Sequence, residues 1–339
     1  VRFATYNVAW FDQLFDDAGA LMPDQAESGL QEVTRAARIA GLVAVFRALD
    51  ADAVLIVEAP DQNGRRDCVR ALERFAAHAG LRARRAMLGF ATDTQQEIAL
   101  LYDPDALTAR HDPQGAATGR KGRRSAPRFD GVYRVDLDHD GRDELMTWSK
   151  PPLEIAARTA QGVALRLIGV HAKSKAPHGA RNPTDITRMS IANRRKQLAQ
   201  CLWLRARVDQ HLAQRDSVIV LGDFNDGPGL DEYEQLFGRS GVEVVLGSGT
   251  TALHDPHVHQ ALIRRFAAPP TTARFRHREE GWRQFLLDYI MISADLAAQA
   301  PRWRIWHPFD DPGCFADDTL RTALLAASDH FPVTLDIAL

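Results

Sequence analysis

The chain has 339 residues, 45% of them apolar and 25% charged, with 42 Lys and Arg against 44 Asp and Glu. That is enough for one large domain or two small ones. The formal net charge of −2 excludes the global basic field that dominates non-specific nucleic-acid binding, so an anionic partner must be met by local positive charge.

In chain order, "VRFATYNVAW" places Phe3, Thr5 and Asn7 on one side and Ala4, Tyr6 and Val8 on the other. Both sides carry bulk, which predicts a strand covered on both faces. Leu30, Val33, Ala37, Ala40 and Ala44 then recur at helical spacing. "ADAVLIVEAP" reads as a buried strand ended by Pro60, a second helix fits 65–78, and "EIALLYDP" is a strand stopped by Pro104. Residues 108–128, rich in Gly, Arg, Pro and Ser, read as a mobile loop. Strands are predicted at 131–137, 144–148, 153–157 and 163–170, with "DHDGRDE" as a hairpin turn between the first two.

The longest helical pattern covers 187–214. Ile191, Leu198, Cys201, Leu202, Val208 and Leu212 form its stripe, and Arg194, Arg195, Lys196 and Arg205 lie off it as a solvated face. "SVIVLGDFND" is a strand running into a loop, and "FLLDYIMIS", "RWRIW" and "FPVTLDIAL" supply the last strands. No repeat or linker is visible, so 1–339 is read as one domain. Helices alternating with strands and hairpins predict an α/β protein with mixed, partly antiparallel sheets.

Cys68, Cys201 and Cys314 are odd in number and widely spaced, which argues against a disulfide framework or a cysteine zinc site and for buried thiols. No apolar run approaches the roughly 18 residues of a membrane helix, so no membrane partner is expected. The chain opens on Val1 without a signal-like segment. The expected compartment is the cytoplasm, with a leader removed upstream left open, and a monomer is expected.

Chemistry gathers at the ends of apolar strands. Asn7 follows "FATY", Glu58 follows "VLIV", His171 follows "RLIGV", and Asp223 and Asn225 follow "VIVLG". Asp288 lies in "FLLDYI", and Asp329 and His330 precede "FPVTL". Strand ends set loop residues on a rigid base. Four carboxylates from distant places, Glu58, Asp223, Asp288 and Asp329, would repel one another unless a cation neutralised them. Oxygen donors with an Asn suit a hard cation, Mg²⁺ or Mn²⁺, and such an ion suits chemistry at phosphate.

The ordered set "TYNVAW", "VLIVEAPD", "IGVHAKSK", "VLGDFND", "LLDYIMIS" and "SDHFPV" resembles the endonuclease/exonuclease/phosphatase superfamily, the deoxyribonuclease I-like fold. The resemblance runs from Asn7 to His330. It implies a four-layer α/β/β/α sandwich with two mixed, largely antiparallel sheets and one active site at a rim. It implies Glu58 as main metal ligand, completed by Asn7 and Asp329. His330 would be general base or electrostatic partner of the phosphate, oriented by Asp288. Asp223 would position water or bind a second cation, and Asn225 and His171 would donate to the transition state. Lys150 of "WSKPPLEI" would reach a substrate phosphate. Lys173, two residues beyond His171, would share its face if the strand continues.

Two departures qualify the resemblance. Val57 stands where the family usually has Gln, which would loosen the surroundings of Glu58. His171 follows the deoxyribonuclease I and sphingomyelinase pattern and tilts against a dedicated abasic-site enzyme. Gln96 or Glu97 lies near where the nuclease branch carries an acidic partner for its histidine.

Elsewhere, "HDPHVH" reads as a polar loop and "DDPGCFADD" as a loop without EF-hand spacing. "RKGRR" at 120–124 and "RFRHR" at 274–278 are basic loops, the second followed by Trp282. Arginine interleaved with aromatics suits stacking on bases. The leading expectation is a Mg²⁺-dependent phosphodiesterase, a nuclease on DNA or RNA. The alternatives are a phosphomonoesterase or lipid or small-molecule phosphodiesterase of the same fold, and a non-catalytic binding protein.

Overall fold

The computed structural model describes the whole chain except residues 139, 178, 233, 237, 264–268 and 278–280. In chain order the elements are β1 (Arg2–Asn7), α1 (Arg35–Leu49), β2 (Ala53–Ala59), α2 (Cys68–Ala79), β3 (Arg85–Leu88), β4 (Glu97–Tyr102) and β5 (Leu107–His111). Then come β6 (Tyr133–Val135), β7 (Glu144–Met146), β8 (Leu153–Thr159), β9 (Ala164–His171), α3 (Pro183–Ala213), β10 (Val218–Asp223), α4 (Gly241–Leu246) and α5 (Pro256–Leu262). The last are β11 (Ala273–His277), β12 (Gly281–Phe285), β13 (Asp288–Ile292), α6 (Ala294–Ala297), β14 (Arg302–Ile305), α7 (Pro312–Ala316), α8 (Asp318–Ala327) and β15 (Val333–Asp336).

Two mixed sheets carry the fold. The first has the order β14-β15-β1-β2-β4-β3 and the second β13-β10-β9-β8-β5. Only β1/β2 and β9/β10 are parallel in these sheets; the other neighbours are antiparallel. Three apolar clusters define the layers. Phe3, Leu55, Leu100, Leu167, Leu221 and Ile290 meet between the sheets. Ala4, Tyr6 and Val8 face the other way, onto Leu42, Phe46, Phe75 and Leu324 of α1, α2 and α8. Ile168, Val170 and Val220 pack on Trp203 and Leu204 of α3 and Val242 of α4. The result is the expected α/β/β/α sandwich, and β1 is covered on both faces because each face feeds a different core.

The helices start where side chains replace missing backbone acceptors. Thr34 caps α1, Asp67 caps α2, and Asn182, followed by Pro183, caps α3. Several expectations shift. Leu30 and Val33 precede α1, whose buried stripe is Arg38, Ile39, Leu42, Val45, Phe46 and Leu49, while Ala37 and Ala40 are exposed. The supposed mobile loop at 108–128 begins inside β5, and its later part is anchored by buried Ala126, with Phe129 just beyond. "HDPHVH" and "DDPGCFADD" are helix starts: Asp255, Asp311 and Asp317 cap α5, α7 and α8. All three cysteines are free and buried, as expected.

Candidate active site

Strand direction gathers the predicted residues on one rim. Parallel β1 and β2 end there with Asn7 and Glu58; parallel β9 and β10 end there with His171 and Asp223. Antiparallel β4, β8, β13 and β15 begin there, which brings Gln96, Lys150, Asp288, Asp329 and His330 to the same edge. Asp223 stands opposite both His171 and Asp288 in register. Gly222 is obligatory just before it, because a Cβ would fall 2.0 Å from Val170 O. At Glu58 a β-bulge interrupts pairing with β4 and φ is +59°. Such bulges re-aim side chains at sheet rims.

The first group is an oxygen-donor corner. Asn7 pairs with Val57 on one side, and its carbonyl accepts the Ser328 hydroxyl at 2.8 Å on the other. Glu58 and Asp329 therefore flank it. Glu58 Oε2 accepts the Trp10 N–H at 2.8 Å. Its Oε1 faces His171 Nε2 at 4.0 Å and takes no hydrogen bond among the described residues. The Asp329 carboxylate has no hydrogen bond or ion pair among them either. Asn7 Oδ1 accepts only from Ala9 N–H, at 2.9 Å. Free lone pairs on three hard oxygen donors fit Mg²⁺ or Mn²⁺ and not zinc. Val57 is buried between the sheets, and the Trp10 N–H holds Glu58 from another direction.

The second group is a buried acid–base cluster. His330 Nδ1 lies 2.8 Å from Asp288 Oδ2, which also accepts the Thr272 hydroxyl at 2.8 Å. Burial alone would depress the imidazole, but the Asp288 charge and hydrogen bond, with Asp223 and Asp329 behind, push it up to about 10. Burial and the neighbouring Asp288 push Asp223 up to about 7, against donors from Asn225 N–H and the Asn7 amide. Asp223, Asp288 and His330 are close enough to share an ion. A protonated imidazole has no lone pair to offer, however, so this trio suits proton handling better than coordination.

The third group is basic. Lys150 Nζ donates to Gln96 Oε1 and meets His171 Nε2, both at 3.0 Å. Burial, then Lys150, hold His171 well below its usual pKa, so it is neutral with Nε2 as the acceptor. Its Nδ1 is buried without a partner among the described residues. The donor presented at this corner is therefore Lys150, which burial lowers to about 8, and not His171 as expected. Asn225 likewise turns its amide N–H groups inward, to Ala172 O at 3.1 Å and Asp223 Oδ2 at 3.2 Å. Strand β9 stops at His171, so Lys173 does not extend its face. The Gln200 and Gln197 side chains instead fix the Lys173 backbone at 2.9 Å each.

The Lys173 and Lys196 side chains make no hydrogen bond or ion pair among the described residues. Burial and the charge of Lys196 lower Lys173. The helix-face reading was right for Arg194 and Arg195 only in part, since they pair with Asp231 and with Asp138 and Glu144. It missed Lys196. Gln96 and Thr272 were also missed as site residues, although Gln96 was one of two candidates beside the histidine. Glu97, the other, is buried against the Thr92 N–H at 3.1 Å.

Strands β11 and β12 pair antiparallel where a loop was expected; residues 278–280, between them in sequence, lie outside the described residues. Ala273 bridges to His330, and Phe275 packs edge-on to the His330 ring at 5.5 Å. Arg274 sits 3.8 Å from the Trp282 ring centre and 5.1 Å from that of Phe309. Trp282 is 54% and Phe309 42% exposed. In "RKGRR", Arg124 pairs with Asp143 at 2.7 Å.

The chain matches the model of the endonuclease/exonuclease/phosphatase family over residues 4–330. Among solved structures, TDP2 from Caenorhabditis elegans aligns with a TM-score of 0.52 at 12% identity, covering 99% of this chain and 74% of that one. The mannosyl-6-phosphatase of Bacteroides thetaiotaomicron aligns at 0.51 and 12% identity over 100% of both chains. A humanized TDP2 of D. rerio aligns at 0.51 and 12%, covering 100% and 99%. At such identity these likenesses speak for the fold alone. Comparison with curated proteins finds no sequence match.

Proposed function

The chain belongs to the endonuclease/exonuclease/phosphatase family, a family of phosphoester hydrolases that mostly use divalent metal ions, and from that premise we propose a Mg²⁺-dependent phosphodiesterase acting on nucleic acid. The observation that carries the substrate is the arginine–aromatic strand pair standing against His330. A polynucleotide alternates anions with aromatic faces, which is what Arg274, Trp282, Phe309 and Phe275 would meet. Lys173 and Lys196 add unpaired positive charge in a chain whose net charge is −2. A small sugar phosphate needs neither feature. Among the described residues no helix is long and apolar enough to cross a membrane.

In this reading Asn7, Glu58 and Asp329 would hold the ion, which would supply Lewis-acid charge for phosphoryl chemistry. Asp223, fixed by Asn225 and Asn7, orients the attacking water and accepts its proton. Asp288 and Thr272 hold His330 in its charged form, so it offsets the charge that develops on phosphorus and can protonate the leaving oxygen. Lys150, braced by Gln96 and His171, binds a phosphoryl oxygen from the other side. His171 is then a spacer for Lys150.

The test compares wild type with Glu58→Gln and His330→Ala on plasmid DNA, single-stranded DNA and RNA, and sugar and inositol phosphates, each with Mg²⁺. Cleavage of a polynucleotide, lost in both folded variants, is expected. Faster turnover of the small phosphates would replace this substrate with the phosphomonoesterase alternative. In the same assay Lys173→Ala should raise KM for a polynucleotide and flatten its salt dependence by about 0.7–0.9 in log–log slope, one phosphate contact's worth.

A further inference from the structure

Arg38 is fully buried on α1, yet among the described residues it hydrogen-bonds no carboxylate. Its guanidinium donates to four backbone carbonyls instead. Nε reaches Ala327 O at 3.1 Å, and the terminal nitrogens reach Ser28 O, Val8 O and Ala9 O. A buried cation without a counter-ion is costly, and natural folds rarely keep one.

The four carbonyls belong to the segments that shape the oxygen-donor corner. Val8 and Ala9 directly follow Asn7. Ala9 and Trp10 both adopt left-handed backbone, φ +48° and +56°, which non-glycine residues avoid. That turn aims the Ala9 N–H at Asn7 Oδ1 and the Trp10 N–H at Glu58 Oε2. Ala327 ends α8 two residues before Asp329, and Ser328 in between donates to the Asn7 carbonyl. One side chain thus ties the support of all three donors together, across 289 residues of chain at its Ala327 contact. Ser28 anchors the same guanidinium to the loop ahead of α1.

We infer that Arg38 is a positioning residue for the divalent ion: its fork of carbonyl contacts holds Asn7, Glu58 and Asp329 in the arrangement that binds metal, without touching metal or substrate. The inference rests on the reading that those three residues hold the ion. A fork is needed because a guanidinium can serve four acceptors in one plane, whereas an ammonium is a point donor.

The experiment is calorimetric titration of the whole chain with Mn²⁺ and Mg²⁺, for wild type, Glu58→Gln, Arg38→Lys and Arg38→Met, each checked for fold by circular dichroism. Arg38→Lys should weaken metal binding about 10–100-fold, the usual effect of losing a residue that orients metal ligands. Its activity should recover toward wild type at raised metal although circular dichroism shows it folded before metal is added, which separates weakened binding from rescue of an unfolded fraction. If Arg38→Met does not fold, Arg38→Lys decides. Metal affinity within about twofold of wild type in a folded Arg38 variant, while Glu58→Gln abolishes binding, overturns the inference alone. Unchanged affinity in Glu58→Gln overturns the metal assignment beneath it.

Discussion

Among the described residues two arginines lie wholly out of solvent, and the fold treats them in opposite ways. Arg207 on α3 meets the buried carboxylate of Glu154 at 2.9 Å and the carbonyls of Ala126 and Pro127 at 2.8 and 3.0 Å. It staples the stretch after β5 onto the second sheet and its helix. Arg38 meets carbonyls only, beneath Asn7, Glu58 and Asp329. The first region pairs its charge within itself, although the Arg207 Nε–H is buried without a partner among the described residues. The second has left-handed backbone at Ala9 and Trp10 and open lone pairs, which in the proposed reading a cation would take up. A site is the place where the fold leaves such an imbalance standing, and the paired arginine shows what the same residue looks like when structure is its whole purpose.

Glu58 is where the contrast breaks hardest. Glu58→Gln keeps an acceptor for the Trp10 N–H and removes one negative charge from a crowded corner. Its melting temperature should match or exceed that of wild type. Its kcat/KM on a phosphodiester should fall on the order of 10³-fold, since several kcal/mol of charge stabilisation goes with the ion at about 1.4 kcal/mol per decade. A variant that loses stability together with activity would erase the distinction between the two regions.

Arg207→Met is the mirror case. It strands Glu154 without its partner, and breaking a buried pair costs roughly 3–5 kcal/mol. Urea unfolding should show that loss. The folded fraction should keep wild-type metal affinity, because the hydrogen bonds of Arg207 go to Glu154, Ala126 and Pro127 and to none of the segments that carry Asn7, Glu58 and Asp329. Altered metal affinity would mean that the two arginines are not separable.

The rim itself was legible in the sequence because each of its residues interrupts or ends an apolar run, and strand direction then puts them on one edge. Asn7, Glu58, Asp223, Asp288 and His330 all follow that rule. What could not be read is whatever depends on a partner chosen by tertiary structure. Lys196 sits in a run with Arg194 and Arg195 and looks like them; only the carboxylates of Asp231 and Glu144 separate the paired from the unpaired. Arg38 looks like a solvent-facing helix residue because the predicted stripe was displaced to Ala37, Ala40 and Ala44. His171 and Asn225 are the right residue types in the right places, but their N–H groups are turned away by Lys150 and Ala172. The short helices α5, α7 and α8 were hidden because their caps, Asp255, Asp311 and Asp317, read equally well as polar loops.

Those caps extend the contrast between paired and unpaired charge to carboxylates, with smaller effects and opposite signs. Asp255 is fully buried with three N–H donors, from His257 at 2.8 Å, Val258 at 3.4 Å and Ile290 at 3.1 Å; the His257 imidazole 3.6 Å away is kept neutral by burial, and no Lys or Arg among the described residues reaches it. Burial outweighs those donors and pushes it up to about 7. A raised folded value means that its contribution to stability is fully present below the unfolded value near 4 and is lost as pH rises to about 7. Stability of wild type minus that of Asp255→Asn should therefore decline across that window in urea titrations. Asp231 has the reverse setting. Burial would raise it, but Arg194 holds both its oxygens, at 2.9 and 2.8 Å, and brings it to about 2. Its contribution is present above about 4 and is lost as pH falls toward 2, so wild type minus Asp231→Asn should decline on the acid side only. The Asp231 side chain is 34% exposed, and solvent screening keeps that step to about 1 kcal/mol or less. If both differences ran in the same direction with pH, the presence or absence of a cationic partner would not be what distinguishes buried charges in this protein.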